Sequence, residues 1–196
     1  MPGYAVGGVA GGESKDAFWR VVDQCCAELP EDKPRYVMGV GYPLDIVVCS
    51  ALGADMFDCV YPTRTARFGT ALVPEGILKL KGSNMVNDNR PIDPDCDCMV
   101  CKKYTRGYLH HLVTKEPSAA LLVTYHNIRH MMNLGKTLRQ SIIDGRFEEY
   151  VNEFLRRQFP NGDDVPLWVR ESMVAADIDI SSVLKGKVQV GQDSTN

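Results

Sequence analysis

The chain of 196 residues lacks several features, and each absence narrows what it can be. No segment reaches the ~18 consecutive apolar residues of a membrane span, so no transmembrane segment is expected. Basic residues are not in excess either. The net charge is −3 and the pI is near 5.8, so the charge of the whole chain does not indicate nucleic-acid binding, although local basic clusters could still provide it. Residues 1 to 13 lack the charged start and apolar run of a signal peptide, and we expect a cytoplasmic protein.

The composition that is present suits a globular protein. Hydrophobic residues make up 44% and charged residues 24%, and this length fits one domain with a real core. The seven cysteines are an odd number, and three of them fall between positions 96 and 101. Such clustering favours metal ligands in a reducing compartment over a disulfide framework.

Alternating apolar segments and amphipathic stretches predict three strand–helix units at the start of the chain. The elements are strands at Tyr4–Val6, Arg35–Met38 and Ala54–Phe57, and helices from near Ser14 and from Pro43 to about Leu52. Short connections predict a parallel sheet, in which the loops after the strands build the site. Gly7–Gly8, Met38–Gly39 and Asp58 are therefore expected on one face, although the glycines could serve only as turns.

The rest of the chain divides into an irregular part and a helical part. Residues 68 to 118 contain a Gly/Asn/Asp/Pro-rich stretch and the cysteine cluster, so we predict an irregular subdomain there. Periodic apolar residues predict a long helix over 119–143 and a second amphipathic helix over 147–159. The last six residues are expected to be disordered.

The cysteine cluster, Cys96-x-Cys98-x2-Cys101, offers three thiolates to one ion. A structural Zn²⁺ site needs a fourth ligand, and the histidines available are His110, His111, His126 and His130. Spacing alone does not choose among them, although His126 at the start of the long helix could close a site against the preceding loop. With four protein ligands the zinc would be structural. The alternative, three free surface thiols, would be an oxidation liability.

A second chemical feature is the stretch from Asp55 to Arg67, where Asp58 follows an apolar segment and Arg64 and Arg67 come six and nine residues later. A carboxylate nucleophile beside cations that can hold phosphate suits chemistry on a nucleic acid. The alternatives are that Asp58 caps a helix and that the arginines are solvated surface charges.

Four motifs together resemble the tRNA-guanine transglycosylases, most closely the catalytic subunit of the eukaryotic queuine tRNA-ribosyltransferases. They are YAVGGVAGGES from residue 4, RYVMGVGYPLDIV from residue 35, DMFDCVYPTRTARFG from residue 55, and the three cysteines with His126, which 24 residues separate from Cys101. The resemblance covers roughly residues 3 to 180.

The resemblance implies an α/β fold, the C-terminal part of a (β/α)8 TIM barrel with an inserted zinc-binding subdomain. Residues 1–75 would be the last strand–helix units of the barrel, 76–127 the zinc subdomain, 128–181 C-terminal helices and 182–196 a flexible tail. A complete barrel needs ~250 residues. We therefore expect a chain without the N-terminal barrel half, which holds a second catalytic aspartate in the family, and expect it to be weakly active or inactive alone.

The family exchanges wobble guanine of tRNA for queuine or a related 7-deazaguanine by double displacement. The resemblance makes Asp58 the nucleophile that forms a covalent Asp–ribose intermediate, while Arg64 and Arg67 would bind the tRNA backbone. The base would lie against Gly7, Gly8, Val9, Ala10, Met38 and Gly39, and Cys96, Cys98, Cys101 and His126 would bind structural Zn²⁺. Gly11, small where the bacterial branch is bulkier, favours queuine over its smaller precursor.

Partners follow from the same resemblance. The family's eukaryotic enzyme pairs with a homologous non-catalytic subunit, so a heterodimer or a homodimer is expected, with Tyr108 and His111 of a helix over 104–112 as an interface. The family also associates peripherally with mitochondria. A second hypothesis is a non-catalytic, zinc-containing tRNA-binding or scaffold subunit. Asp58 with Pro62-Thr63-Arg64 is the catalytic pattern and favours the enzyme.

Overall fold

The computed structural model describes residues 1–116 and 120–184, and its first part is a three-stranded parallel sheet. Strands β1 (Tyr4–Val6), β2 (Arg35–Val37) and β3 (Met56–Phe57) lie in the order β1-β2-β3. Helices α1 (Lys15–Glu28) and α2 (Pro43–Ala51) connect them. The parallel sheet predicted from the sequence is confirmed.

Local chemistry explains where these two helices begin. The Ser14 side chain accepts a hydrogen bond from the backbone N–H of Ala17 at 3.2 Å and caps α1. Pro43 occupies the first turn of α2, where its missing N–H leaves no helical hydrogen bond unmade. Helix α1 buries only one side, which includes Phe18 and Val22.

The segment after the sheet is more regular than predicted. It contains α3 (Tyr61–Arg67), the antiparallel hairpin of β4 (Thr70–Val73) and β5 (Gly76–Lys79), a 3₁₀ turn at Ser83–Met85, α4 (Met99–Lys103) and α5 (Arg106–Lys115). The prediction of an irregular subdomain over 68–118 was therefore wrong in part. Its two strands have four residues each, too few for an alternation pattern to stand out. The turn between them is Pro74 and Glu75, and Gly76, which follows it, has φ of 124°, a conformation that favours glycine.

Helices make up the rest of the described chain. They are α6 (Ala120–Ile143), α7 (Phe147–Gln158), α8 (Leu167–Ala175) and α9 (Ser181–Leu184). The two predicted helices are confirmed, except that residue 119 lies outside the described residues. The flexible tail predicted over 182–196 begins within α9. Its part from residue 185 onward, which includes the last six residues, lies outside the described residues. None of the described helices is long and apolar enough to cross a membrane.

Two hydrophobic cores share helix α6. The first lies between the sheet and helices α1, α2, α7 and α8, and α6 contributes Leu134 and Leu138 to it. The second surrounds the cysteine cluster, packs β4, α4 and α5, and takes Val123 from the other half of α6. The domain division at residues 75 and 127 stays a prediction.

Both edges of the parallel sheet are open in the described part of the chain, where no strand pairs with the outer side of β1 or β3. A groove of about 510 Å³ runs beside β1 and is lined by Val21 and Leu29. Another of about 480 Å³ lies between β3 and α6, lined by Phe57 and Ile142. Apolar side chains therefore follow both edges.

Candidate active site and metal centre

The loops after β1, β2 and β3 meet at the carboxyl end of the sheet. A Cβ added to Gly7 would come within 2.5 Å of Met38 Cε, and one added to Gly39 would lie 3.0 Å from Ala10 Cβ. Gly39, with φ of 76°, directs its N–H at Asp58 Oδ1 over 3.0 Å. The structure thus brings together the predicted base-binding residues and the predicted nucleophile.

Two predicted base-pocket residues differ in exposure. Val9 is buried in the first core, whereas Ala10 is exposed. Gly8 has φ of 77°, which favours glycine, and an added Cβ would meet nothing within 4 Å. The backbone on this loop is therefore open to a flat ligand.

Asp58 is exposed, and its carboxylate is held from one side. Tyr36 Oη donates to Oδ1 at 2.5 Å, beside the bond from Gly39 N. These two donors, Tyr36 first, lower the pKa of Asp58 because both stabilise the charged form. No described residue hydrogen-bonds Oδ2, so the geometry is that of an ionised carboxylate with one oxygen fixed and the other open to a reacting atom.

Tyr36 was missed by sequence reasoning, which used it only as a strand residue. Its neighbours Arg35 and Val37 are buried while Tyr36 is half-exposed. The available signal was its place in β2, two residues before Met38, from which a phenol can reach the loop after the adjacent strand.

Arg64 and Arg67 lie on α3, which begins three residues after Asp58, and both are exposed. Helix α3 has no side-chain N-cap. Instead, Asn127 of α6, which is fully buried, donates from Nδ2 to Pro62 O (2.9 Å) and Thr70 O (3.0 Å), and its Oδ1 accepts from Leu72 N (2.9 Å). This second missed residue fixes α3 and β4 to α6.

A further set of contacts joins the loop after β2 to its surroundings. The rings of Tyr42 and Tyr61 lie 4.1 Å apart at their centroids, which couples this loop to the start of α3. Lys15 Nζ bonds the buried Asp45 at 2.5 Å and lies 5.4 Å from the ring centres of Tyr42 and Trp168. Burial raises the pKa of Asp45, and the Lys15 ammonium opposes that shift.

The cysteine cluster and one histidine form a compact donor set. The ligand atoms of Cys96, Cys98, Cys101 and His126 all lie within 4.8 Å of one another. His126 Nδ1 is 3.8, 3.6 and 3.3 Å from the sulfurs of Cys96, Cys98 and Cys101. A tetrahedral zinc with bonds of ~2.3 Å to sulfur and ~2.0 Å to nitrogen would separate sulfur from nitrogen by ~3.6 Å. The donor set therefore fits a tetrahedral metal ion.

Backbone contacts prepare His126 for this role. Its Nε2–H donates to Leu72 O at 2.8 Å, which leaves the Nδ1 lone pair directed at the sulfurs. Burial lowers the pKa of His126, and a neutral imidazole is the form that binds metal. Burial also raises the pKa of the Cys96 and Cys101 thiols, so a cation entering this site would displace protons.

The other histidines are placed differently. His110 Nδ1 bonds Leu80 O at 2.8 Å, His111 is exposed on α5, and the His130 ring centroid lies 6.4 Å from that of His126. Of the four candidates that spacing left open, the structure brings His126 to the cysteines. A cavity of about 390 Å³ between α6 and α7 borders Cys96 and His130 but does not include Asp58.

Comparison with known proteins gives one consistent result. The family model described as queuine tRNA-ribosyltransferase matches residues 1–160. The queuine tRNA-ribosyltransferase of Thermus thermophilus is 49% identical over 176 residues, 89% of this chain and 45% of the relative. The queuine tRNA-ribosyltransferase catalytic subunit of Caenorhabditis elegans is 49% identical over 185 residues, covering 87% and 46%. That of Schizosaccharomyces pombe is 45% identical over 188 residues, covering 91% and 46%.

The chain therefore spans slightly less than half the length of the curated relatives it matches. The match nevertheless runs through all three site loops and the metal centre, since the family model extends from residue 1 to residue 160. The resemblance found in the four sequence motifs is confirmed, and the chain belongs to the queuine tRNA-ribosyltransferase family.

Proposed function

We propose that this chain carries the nucleophile and the zinc module of a tRNA-guanine transglycosylase that exchanges wobble guanine for queuine or a related 7-deazaguanine. The observation that carries the proposal is the Asp58 carboxylate, held by Tyr36 and Gly39 where the three site loops meet. A scaffold subunit without chemistry would not need an ionised carboxylate with a free oxygen there.

In the proposed reaction Asp58 Oδ2 attacks C1′ of the wobble guanosine. The glycosidic C1′–N9 bond breaks as the C1′–O bond forms, and guanine leaves with the electron pair and takes a proton from water or a second acid. The transition state resembles an oxocarbenium ion, which the carboxylate stabilises before bonding. N9 of the incoming base then attacks C1′, loses its proton and releases the Asp58 carboxylate.

The base pocket would be formed by the first two loops. Gly7 and Gly8 offer backbone without side chains, Val9 and Ala10 continue the same loop, and Met38 with Gly39 would face the base plane. An exchanged base must be unstacked and held in such a pocket. Arg64 and Arg67 would then hold backbone phosphates beside it.

Cys96, Cys98, Cys101 and His126 would hold Zn²⁺, which supplies a structural cross-link and no open position for catalysis. The open sheet edges support the proposal that the three strands are the C-terminal part of a (β/α)8 barrel. The exchange activity would then need the remaining strands, so the isolated chain would be weakly active or inactive.

A partner subunit is part of the proposal. The eukaryotic relatives are named catalytic subunits. A homologous non-catalytic subunit, or a second copy, would dock on α5, where Tyr108 is half-exposed and stacks on Tyr104 at a centroid distance of 5.3 Å. We propose the cytoplasm as the location, with peripheral association with mitochondria.

The test is covalent trapping. Unmodified tRNA would be incubated with the chain, and a protein–RNA adduct that survives denaturation would be sought with the parent, Asp58→Asn and Asp55→Asn. We expect an adduct, at low yield from the chain alone, with the parent and Asp55→Asn and none with Asp58→Asn. An adduct that persists in Asp58→Asn would refute the assigned nucleophile. RNA binding without any adduct, even after the rest of the barrel is supplied, would favour the scaffold hypothesis.

A further inference from the structure

Helix α3 presents an apolar and basic stripe to solvent. Val60, Arg64 and Phe68 follow at intervals of four residues, so they lie on one face. Val60 is 52% exposed and Phe68 is 70% exposed, whereas Ala66 on the opposite face is fully buried. The helix packs through that buried face on α6 and β4. Phe68 thus stands free of the core at the end of α3 away from Asp58.

Four cations surround this end of α3. Arg64 and Arg67 come from the helix itself, while Lys79 pairs across the hairpin with Thr70. The Lys81 side chain packs over Gly69, where an added Cβ would lie 3.0 Å from Lys81 Cγ. Phe68 directly precedes Gly69, whose carbonyl oxygen accepts a backbone hydrogen bond from Leu80 N at 2.9 Å. Lys79 and Lys81 flank Leu80, so this hydrogen bond brings both lysines close to Phe68.

These four cations form no ion pair within the described structure. No carboxylate of residues 1–116 or 120–184 lies within 4.0 Å of the side-chain nitrogens of these four residues, and α3 itself contains no acidic residue. An exposed phenyl ring among unpaired cations is the combination with which proteins hold single-stranded nucleic acid. The cations take the phosphates and the ring takes the face of a base.

We propose that Phe68 is a stacking platform for an unpaired base of the RNA substrate, flanked by phosphate contacts from Arg64, Arg67, Lys79 and Lys81. The proposal rests on the proposed function, since it takes the ligand to be RNA. Phe68 follows Val60 by two helical turns, ~12 Å along the axis. The stacked base is therefore a neighbour of the exchanged nucleotide and not the exchanged base itself.

The test measures the Kd of a fluorescein-labelled anticodon stem-loop by anisotropy over a range of salt concentrations. The variants are Phe68→Ala, Phe68→Leu, Phe68→Trp and Arg64→Ala. Leu167→Ala is the matched control, because Leu167 is similarly exposed at 69% but lies on α8. Thermal melting would confirm that each variant is folded, as expected for changes at an exposed side chain.

We expect Phe68→Ala to weaken binding roughly five- to a hundredfold without changing the salt slope, because stacking involves no ion release. Phe68→Leu should lose most of that affinity, while Phe68→Trp and Leu167→Ala should keep it. Arg64→Ala should reduce the salt slope by about one.

Other results would overturn the proposal in distinguishable ways. Unchanged affinity in Phe68→Ala, with Arg64→Ala weakened, would refute the platform and leave the proposed function standing. Full affinity in Phe68→Leu would replace stacking by a plain apolar contact. Loss of self-association in Phe68→Ala, with RNA affinity intact, would identify a protein-docking surface. Failure of the parent chain to bind the stem-loop would count against both proposals.

Discussion

At the scale of single residues, the two oxygens of Asp58 have different surroundings. Oδ1 accepts from Tyr36 and Gly39, while no described residue bonds Oδ2. The donors stabilise the carboxylate anion, which in the proposed reaction would be present before attack and after release of the ribose. They stabilise the neutral ester less. Tyr36 would therefore restrain the first step slightly and assist the second, in which Asp58 leaves as an anion.

Tyr36→Phe tests this division of roles. We expect the trapped adduct to accumulate and its discharge by added free guanine to slow about tenfold, the effect of one lost hydrogen bond to a charged group. Tyr36 is the main cause of the lowered pKa of Asp58, so in the variant that pKa should rise back toward that of an ordinary aspartate, which is ionised at neutral pH. Discharge rates are measured at pH 6 and pH 8.

The same slowing at both pH values would show that ionisation of Asp58 is not the cause. Tyr4→Phe is the control, since Tyr4 lies in the neighbouring strand β1 and makes no side-chain hydrogen bond to the described residues. An adduct that forms less and discharges normally in Tyr36→Phe would contradict the proposed role, because Tyr36 would then serve only the first step.

At the scale of secondary-structure elements, Lys15 links three helices. It lies in the first turn of α1, bonds Asp45 of α2 and faces the Trp168 ring of α8. The Asp45 side chain is 7% exposed, so its charge depends on this one ammonium for compensation. Lys15→Met removes the charge and keeps much of the apolar stem.

We expect Lys15→Met to lower the free energy of unfolding at pH 7.5 by about 1–3 kcal/mol, less than for a fully buried pair because Lys15 is partly solvated. Burial already raises the pKa of Asp45, and loss of Lys15 raises it further. A group whose pKa is raised on folding stabilises the protein at low pH and loses that contribution as pH rises through the raised pKa. The difference in the free energy of unfolding between the parent and Lys15→Met should therefore be smaller at pH 5 than at pH 7.5.

Urea unfolding of the parent, Lys15→Met and Lys15→Met/Asp45→Asn at the two pH values checks this expectation. The double variant has no buried charge, so it should recover most of the stability at pH 7.5. A deficit that stays constant or grows on acidification would mean that Lys15 acts through packing against the rings and not through Asp45.

Elements also differ in how far the sequence predicts them. Helix α1 was predicted because Ser14 caps it and its apolar residues repeat at helical spacing. Helix α3 was not, because its threonines and exposed arginines carry no apolar period and its position depends on Asn127, far along the chain. Site residues were likewise predictable where the local sequence was informative and not where their role depends on a distant segment. Asp58, the glycines and the cysteines were identified by residue type, whereas Tyr36 gains its role only from a neighbouring strand.

At the scale of the whole molecule, α6 connects the two cores and carries both anchors of the second. His126 joins the cysteine cluster, and the adjacent Asn127 holds α3 and β4. Leu134 and Leu138, two and three turns further on, belong to the first core, which contains the sheet and so β3, the strand that directly precedes Asp58. Metal binding should therefore support helix α3, which we propose to contact RNA, without being needed for the geometry of β1–β3.

Chelation of the metal tests this separation, with metal analysis confirming one zinc per chain beforehand. Structural zinc contributes ~10–16 kcal/mol in zinc-finger peptides, so its removal should destabilise the second core, which surrounds the cysteine cluster. We expect amide hydrogen exchange to accelerate across residues 61–115 and the first turns of α6, and protection in β1–β3, α1 and α2 to remain. Cys101→Ser should reproduce the pattern, whereas Cys25→Ser, a half-buried cysteine of α1, should retain the metal.

Removal of the metal should affect RNA binding and the geometry around the nucleophile differently. If α3 loosens, the stem-loop affinity that we propose to depend on Arg64 and Phe68 should fall together with the lost protection, because those side chains would no longer be held in one orientation. Tyr36 lies on β2 and Asp58 directly follows β3, and both strands belong to the first core, so their hydrogen bond should survive. Uniform loss of protection through both cores would instead show that α6 makes them one cooperative unit, and the metal would then support the nucleophile as well.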